Sequence, residues 1–274
     1  MKSTLKKIIL KNVDSCLISG TGRCGTTYIA GKVNQILSRK IAYHEPHPRF
    51  IGIQNETKNS QIQSIIRGRG TIALANKIRN HSQPIQFIES NGHLSFAIES
   101  YNQVWKSVKN IIVIRDYKSC ITSLASMDFG KGPYLFSEFD HQAERRPNPS
   151  KLGFITSEIW AESSRLVKIA YYWSCVNHHL ISFAASNPEN CIVLKFEELK
   201  ENELDFFRAI SLFLEIPFPL EEFVADNKVR RNSSKEINQK RVQWNDIESS
   251  IKDEIQRICS PIQDRTENLC FKIT

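Results

Sequence analysis

Along the first two thirds of the chain, short apolar runs rich in β-branched residues alternate with longer stretches whose apolar residues recur every three or four positions. The runs read as strands at Ser15–Ser19, Ile41–His44, Ile85–Glu89, Ile111–Arg115 and Cys191–Phe196. The stretches read as helices at about Thr26–Ser38, Thr71–Asn80, Leu94–Trp105, Lys118–Ser126, Glu158–Ala185 and Glu198–Leu214. Strands and helices in alternation predict a parallel sheet of about five strands flanked by helices. The alternation breaks over Asp128–Lys151, which holds Gly130, Gly132, Pro133, Pro147 and Pro149; a loop of that length in a compact domain is usually a lid or a substrate-binding excursion. Beyond Pro219 the character changes, with a polar, basic stretch at Lys228–Lys240 and a helix opening at Trp244 and running to about Cys259. No repeat, low-complexity tract or linker divides the sequence. The expectation is one α/β domain over residues 1–274 with a helical C-terminal elaboration.

The most informative boundary is the first. The strand ending at Ser19 runs into Gly20-Thr21-Gly22-Arg23-Cys24-Gly25-Thr26-Thr27-Tyr28, and a helix follows at once. Such a loop turns backbone N–H groups inward around an anion, and the helix adds its positive end at the same point. Gly20 and Gly25 have P-loop spacing, but Thr26 and Thr27 stand where a nucleoside triphosphatase has Lys followed by Ser or Thr. That absence demotes a nucleotide kinase-like phosphotransferase to the alternative reading. The cation lies instead inside the loop, at Arg23, whose planar guanidinium suits a cluster of phosphate oxygens. A tight strand-to-helix turn without a ligand is the competing structural account.

Charge supports an anionic ligand without identifying it: 37 Lys plus Arg against 29 Asp plus Glu leave +8, with a pI near 9.1. A non-enzymatic nucleic-acid-binding module would use the same surplus, but no basic stripe interleaved with aromatics supports one. Seven cysteines, an odd number without a CxxC pair or zinc-like spacing, read as reduced and mostly buried, the pattern of a cytoplasmic protein; Cys24, inside the loop, is the exception. No run approaches the roughly 20 apolar residues of a membrane span, and Lys11 and Asp14 interrupt the N-terminal apolar run before a signal-peptide core forms. Any membrane contact is therefore expected to be peripheral.

A second motif follows the fourth strand. Asn110-Ile111-Ile112-Val113-Ile114-Arg115-Asp116-Tyr117-Lys118-Ser119-Cys120-Ile121-Thr122-Ser123 is an apolar strand that ends on an arginine and enters a helix. Ser119 and Ser123 are four apart, so both face one side of that helix. Taken alone, Arg115-Asp116 also fits a surface ion pair at the end of a core strand.

Together the two segments resemble the sulfotransferases that use 3′-phosphoadenosine 5′-phosphosulfate, most of all those acting on carbohydrates. Residues 20–27 resemble the family's 5′-phosphosulfate loop, and Arg115 with Ser123, eight residues later, resemble its 3′-phosphate segment. Cys191–Leu199 is similar to its strand ending in an aromatic-Glu-Asp-Leu run, and Arg241 and Trp244 fit its closing stretch. The resemblance implies a P-loop-like α/β fold and transfer of a sulfuryl group to a hydroxyl of a carbohydrate or glycolipid, with no metal required. It implies that Gly20, Thr21, Gly22, Arg23, Cys24, Gly25, Thr26 and Thr27 hold the 5′-phosphosulfate, that Tyr28 stacks on adenine, and that Arg115 and Ser123 hold the 3′-phosphate. Core packing is the other account of Tyr28. Three positions depart from the family pattern: Cys24 where Ser is frequent, Tyr117 where Pro is frequent, and Ser90 where Lys follows the third strand's Glu.

Sulfuryl transfer also needs a base opposite the leaving group. Glu45, in Ala42-Tyr43-His44-Glu45-Pro46, follows the second strand at the sheet edge where parallel sheets bind ligands, and resembles the presumed base of carbohydrate sulfotransferases. Glu89, at the end of the third strand, is its rival, and His44 or His47 can substitute. Arg67, Arg69, Arg145 and Arg146 become acceptor contacts if the acceptor is acidic, and otherwise solvate the surface.

Overall fold

The computed structural model describes residues 13–36, 40–45, 59–75, 86–127, 135–138, 140, 146–221, 223 and 241–270. Among these, five strands form one parallel sheet: β1 (Asp14–Ser19), β2 (Lys40–His44), β3 (Gln86–Ser90), β4 (Ser107–Ile114) and β5 (Cys191–Lys195), in the order β2-β3-β1-β4-β5. The helices are α1 (Thr26–Ile36), α2 (Asn59–Ala75), α3 (Ile98–Asn102) after a 3-10 turn at Gly92–Ala97, α4 (Tyr117–Ala125), α5 (Ser157–Glu162), α6 (Arg165–Ser186), α7 (Phe196–Glu201), α8 (Glu203–Phe213) and α9 (Ser249–Leu269).

Both faces of the sheet are covered, which is why its strands read as continuous apolar runs. Successive side chains point to opposite faces. Leu17, Phe87, Ile112 and Ile114 pack with Ile66 of α2, Ile121 of α4, Trp173 of α6 and Ile255 of α9. Cys16, Ile18, Ile88, Ile111 and Val113 pack with Ile29 of α1, Leu199 of α7 and Phe206 of α8.

The register positions the functional edge. Ile18 of β1 lies level with Ser90 of β3, which lies level with His44 of β2, so the loops after these three strands open at one height. Ser19 is level with Ile112, and β4 continues for two further residues. That overshoot lifts Arg115 to the height of the glycine loop.

Several helices differ from the sequence expectation for local reasons. The expected helix at Glu158–Ala185 is two, because Ser164 leaves the helical conformation and its hydroxyl accepts from the Val167 N–H as the N-cap of α6. Asn202 divides Glu198–Leu214 in the same way, capping α8. α2 begins at Asn59, well before the expected Thr71, because burial of Ile62 and Ile66 outweighs the helix-weakening Gly68 and Gly70; residues 76–80 lie outside the described residues. The expected helix from Trp244 is a 3-10 turn followed by α9, which runs beyond Cys259 and through Pro261 to Leu269. Of the excursion at Asp128–Lys151, residues 128–134, 139 and 141–145 lie outside the described residues, as does the whole of Lys228–Lys240.

The loop after β1 is seated directly on the sheet. A Cβ on Gly20 would stand 2.3 Å from the Val113 carbonyl oxygen, while one on Gly31 would meet nothing within 4 Å. Gly20→Ala is therefore expected to cost about 1–3 kcal/mol by overpacking, and Gly31→Ala in α1 to be neutral or stabilising. Denaturant melts of the two variants check the contrast.

Candidate active site

The glycine loop and the start of α4 interlock. Arg23 is exposed, with φ at 72°, and its Nε donates to Ser123 Oγ at 3.1 Å. Arg115 Nη1 donates to the Arg23 carbonyl at 3.0 Å, and Arg115 Nε donates to Ser119 Oγ at 3.0 Å. The Arg115 guanidinium lies 4.8 Å from the centre of the Phe196 ring, and its own carbonyl accepts from the Trp173 indole N–H. Gly25, at φ 76°, brings the loop against the same Phe196 ring. Two arginines and two serines from opposite motifs thus converge on one surface, the arrangement that an anion with several oxygens requires.

The sequence places Cys24 at the loop, but its thiol is fully buried beneath it. Thr21 Oγ1 lies 2.9 Å from Cys24 Sγ and 3.4 Å from Cys120 Sγ, so these side chains fix the underside of the loop. Tyr28 also turns inward, edge-on to Phe207 with its hydroxyl donating to Glu203. Its ring packs against the α8 core, which is the second of the two accounts left open by the sequence.

On the other side of the loop, His44, Glu45 and His93 form a cluster. His44 Nε2 is 2.8 Å from Thr27 Oγ1 and 3.7 Å from Glu45 Oε1; His93 Nε2 is 3.8 Å from the same oxygen. The Glu45 N–H donates to the Ser90 carbonyl, and the residue is held at φ 46°, a conformation costly for a side chain with Cβ. Burial pulls the His93 imidazolium below its ordinary range against the opposing pull of Glu45, with Arg146, His44 and Arg69 adding to the depression. His93 is therefore neutral near pH 7, able to accept a proton. Sequence reading passed over it; its place directly after Asn91-Gly92 at the end of β3 was the available signal, because Gly92 lets that turn close onto the Gly20 carbonyl, where a Cβ would come to 2.8 Å.

Glu89 is positioned differently from Glu45. Its side chain is 1% exposed, its Oε1 lies 2.6 Å from Arg69 Nη2 and accepts from Asn91 Nδ2 at 3.0 Å. Burial raises its carboxyl above the ordinary range despite Arg69. Glu89 faces the interior rather than the mouth of the site, and Arg69, expected on a solvated face, is buried as its counter-ion. Arg67 is drawn to Gln63 on its own helix, His47 and Arg145 lie outside the described residues, and Arg146 binds Asp140 through Nε at 2.9 Å.

A family model for the sulfotransferase domain matches residues 13–259. The chain belongs to the sulfotransferase family. No curated protein sequence matches it. Among solved structures, sulfotransferase STF9 from Mycobacterium avium is similar at a TM-score of 0.59 and 10% identity, covering 96% of this chain and 79% of that one. The sulfotransferase domain from the Synechococcus PCC 7002 olefin synthase is similar at 0.52 and 11%, covering 92% and 94%. That from the curacin biosynthetic pathway stands at 0.50 and 14%, covering 92% and 98%. These likenesses support the fold: a parallel sheet of five strands, flanked by helices, with a C-terminal helix.

The sulfotransferase family uses 3′-phosphoadenosine 5′-phosphosulfate as sulfuryl donor, and the groups at this site fit it. Backbone N–H groups at the start of α1, two guanidiniums and the Ser119 and Ser123 hydroxyls are all suited to anionic oxygens. In this sulfotransferase the closing stretch also returns to the same place: the Val242 N–H donates to Ser126 Oγ at the end of α4, and Lys118 Nζ lies 5.7 Å from the Trp244 ring centre. Among the described residues no helix is long and apolar enough to cross a membrane.

Proposed function

We propose that this sulfotransferase transfers the sulfuryl group of 3′-phosphoadenosine 5′-phosphosulfate to a hydroxyl of a carbohydrate or glycolipid acceptor. The observation that carries the reading is the Thr27–His44–Glu45 contact, which joins the phosphate loop to a carboxylate held in strained backbone at the sheet edge. Gly20 to Thr27 bind the 5′ end, with Arg23 countering the charge that develops on the departing phosphate. Arg115 and Ser123 hold the 3′-phosphate. Glu45 accepts the proton of the acceptor hydroxyl at its Oε1, and His93 and His44, 3.8 and 3.7 Å from that oxygen, orient it.

Support for the acceptor class comes from an aromatic cluster tied through Asp140 to Arg146, whose charge acts on His93. Phe136 stands edge-on to Trp160 and Tyr172, with ring centres 5.3 and 5.6 Å apart, and Phe136 N and Arg146 both bind the buried Asp140. An aromatic surface beside hydrogen-bonding groups suits a sugar ring, which has both apolar and hydroxyl faces. Incubation with labelled sulfuryl donor and a panel of oligosaccharides, glycolipids and simple phenols tests the assignment. Label on a sugar hydroxyl is expected. Transfer to phenols with none to sugars would reject the acceptor class.

A further inference from the structure

Beneath the phosphate loop lies a feature that sulfuryl transfer does not use. Cys24 comes from the loop and Cys120 from α4, 96 residues apart in sequence, yet both thiols touch the same two atoms. Thr21 Oγ1 is 2.9 Å from Cys24 Sγ and 3.4 Å from Cys120 Sγ; the Gly22 carbonyl accepts from Cys24 at 4.0 Å and from Cys120 at 3.5 Å. Each thiol also shifts the titration of the other. Cys259, by contrast, meets Ser174 and the Ala170 carbonyl.

From this geometry we infer that Cys24 and Cys120 are an oxidisable pair, a disulfide-forming modification site that ties the 5′-phosphosulfate loop to the 3′-phosphate helix and closes the nucleotide site. The inference rests on the nucleotide site proposed above for its consequence, though not for the bond itself.

The pair has an asymmetry suited to the chemistry. The neighbouring Cys24 thiol holds the Cys120 thiol below its ordinary range, helped by Thr21 and by the positive charge of Arg115, while burial pushes the Cys24 thiol well up. Cys120 is the nucleophile and Cys24 the resolving thiol. With hydrogen peroxide as oxidant, the Cys120 thiolate attacks one peroxide oxygen, the O–O bond breaks, and Cys120 becomes a sulfenic acid as hydroxide leaves and takes a proton to form water. Cys24 sulfur then attacks the sulfenic sulfur, the S–O bond breaks, and the thiol proton leaves with the hydroxyl as a second water. Two thiols and one peroxide give one disulfide and two waters.

Access depends on the loop. Both thiols are fully buried, but Gly22 and Arg23 above them are exposed and Arg23 is in the left-handed region, so a peroxide reaches Cys120 when residues 21–25 lift. A nucleotide held by the same loop opposes that movement. An S–S bond of about 2 Å draws the loop toward α4 and removes both thiols from the Gly22 carbonyl, which displaces the N–H groups that would face the 5′-phosphate.

The test treats the reduced full chain with a small excess of hydrogen peroxide and maps the peptides without reduction. A Cys24–Cys120 peptide pair is expected, formed more slowly when adenosine 3′,5′-bisphosphate is present, and the oxidised protein should bind that nucleotide at least about tenfold more weakly until dithiothreitol restores it. Cys120→Ser, which keeps a hydroxyl for Thr21 and Gly22, should show no difference in binding before and after peroxide. If that variant does not fold, Cys24→Ser serves the same comparison. Absence of the linked peptides, overoxidation of Cys120 alone, or a link through another cysteine would overturn the inference. Linked peptides with nucleotide binding unchanged would overturn its regulatory half. A reduced protein that does not bind the bisphosphate would count against the nucleotide site, while the peptide map still decides whether the pair forms.

Discussion

Arg69→Met is expected to destabilise the protein by about 3–5 kcal/mol, the usual consequence of removing one partner of a buried ion pair. The guanidinium side chain is 0% exposed and the Glu89 carboxylate 1%, at the C-terminal edge of β3. Methionine fills the volume but leaves the buried carboxylate accepting from Asn91 without its counter-ion. The loss should depend on pH in a stated direction. Burial already raises the Glu89 carboxyl above its ordinary range, and removing Arg69 raises it further. A carboxyl with a raised folded pKa destabilises increasingly as pH rises from the unfolded value, about 4.3, to the folded one. The deficit of Arg69→Met should therefore be full at neutral pH and shrink on acidification. Glu89→Leu added to Arg69→Met should recover most of it, since two apolar side chains replace a buried pair at little cost. Denaturant melts at pH 5 and pH 7.5 check both; a deficit below about 1 kcal/mol at neutral pH would contradict a dry ion pair.

Glu45→Gln should lower turnover by about 10²–10⁴-fold, the range for loss of a positioned general base, while nucleotide affinity stays the same. The amide is close in size and can keep the 3.7 and 3.8 Å separations from His44 and His93, but it cannot accept the proton. His93→Gln separates the two roles. If His93 orients the carboxylate, its loss should cost less than that of Glu45 and displace the pH profile. Near-normal turnover in Glu45→Gln would transfer the role of base to His93 or His44. Single-turnover transfer with donor in excess reads the chemical step directly.

The sheet was legible because both of its faces are buried. Each strand is therefore a continuous apolar run, and all five were located to within a few residues except for the start of β4, which begins earlier, at Ser107, where the exposed Ser107 and the part-buried Lys109 dilute the pattern. Helix ends were less legible, since caps such as Ser164 and Asn202 are single polar residues that also occur within helices. Glycine spacing and the strand-end arginine single out the loop and Arg115 from local sequence alone, and the structure brings the two together. Which carboxylate stays exposed was not local information. Glu45 and Glu89 both follow strands, and what separates them is Arg69, contributed by α2 and buried against Glu89. The orientation of Cys24 likewise depends on Cys120, far away in sequence, and His93 joins the cluster only because the turn after β3 closes on Gly20.

The central claim is that one surface binds a nucleotide phosphorylated at two positions, and a thermal melt with paired ligands tests it most directly. At a concentration 100 times its dissociation constant, adenosine 3′,5′-bisphosphate should stabilise the protein by about 2.7 kcal/mol, a rise of roughly 5–10 °C for a chain of this size. Adenosine 5′-phosphate at the same concentration should give only a small part of that rise, and Arg115→Ala should reduce the response to the bisphosphate toward the same level. Equal shifts from both nucleotides, or a larger one from ATP with magnesium, would contradict the account.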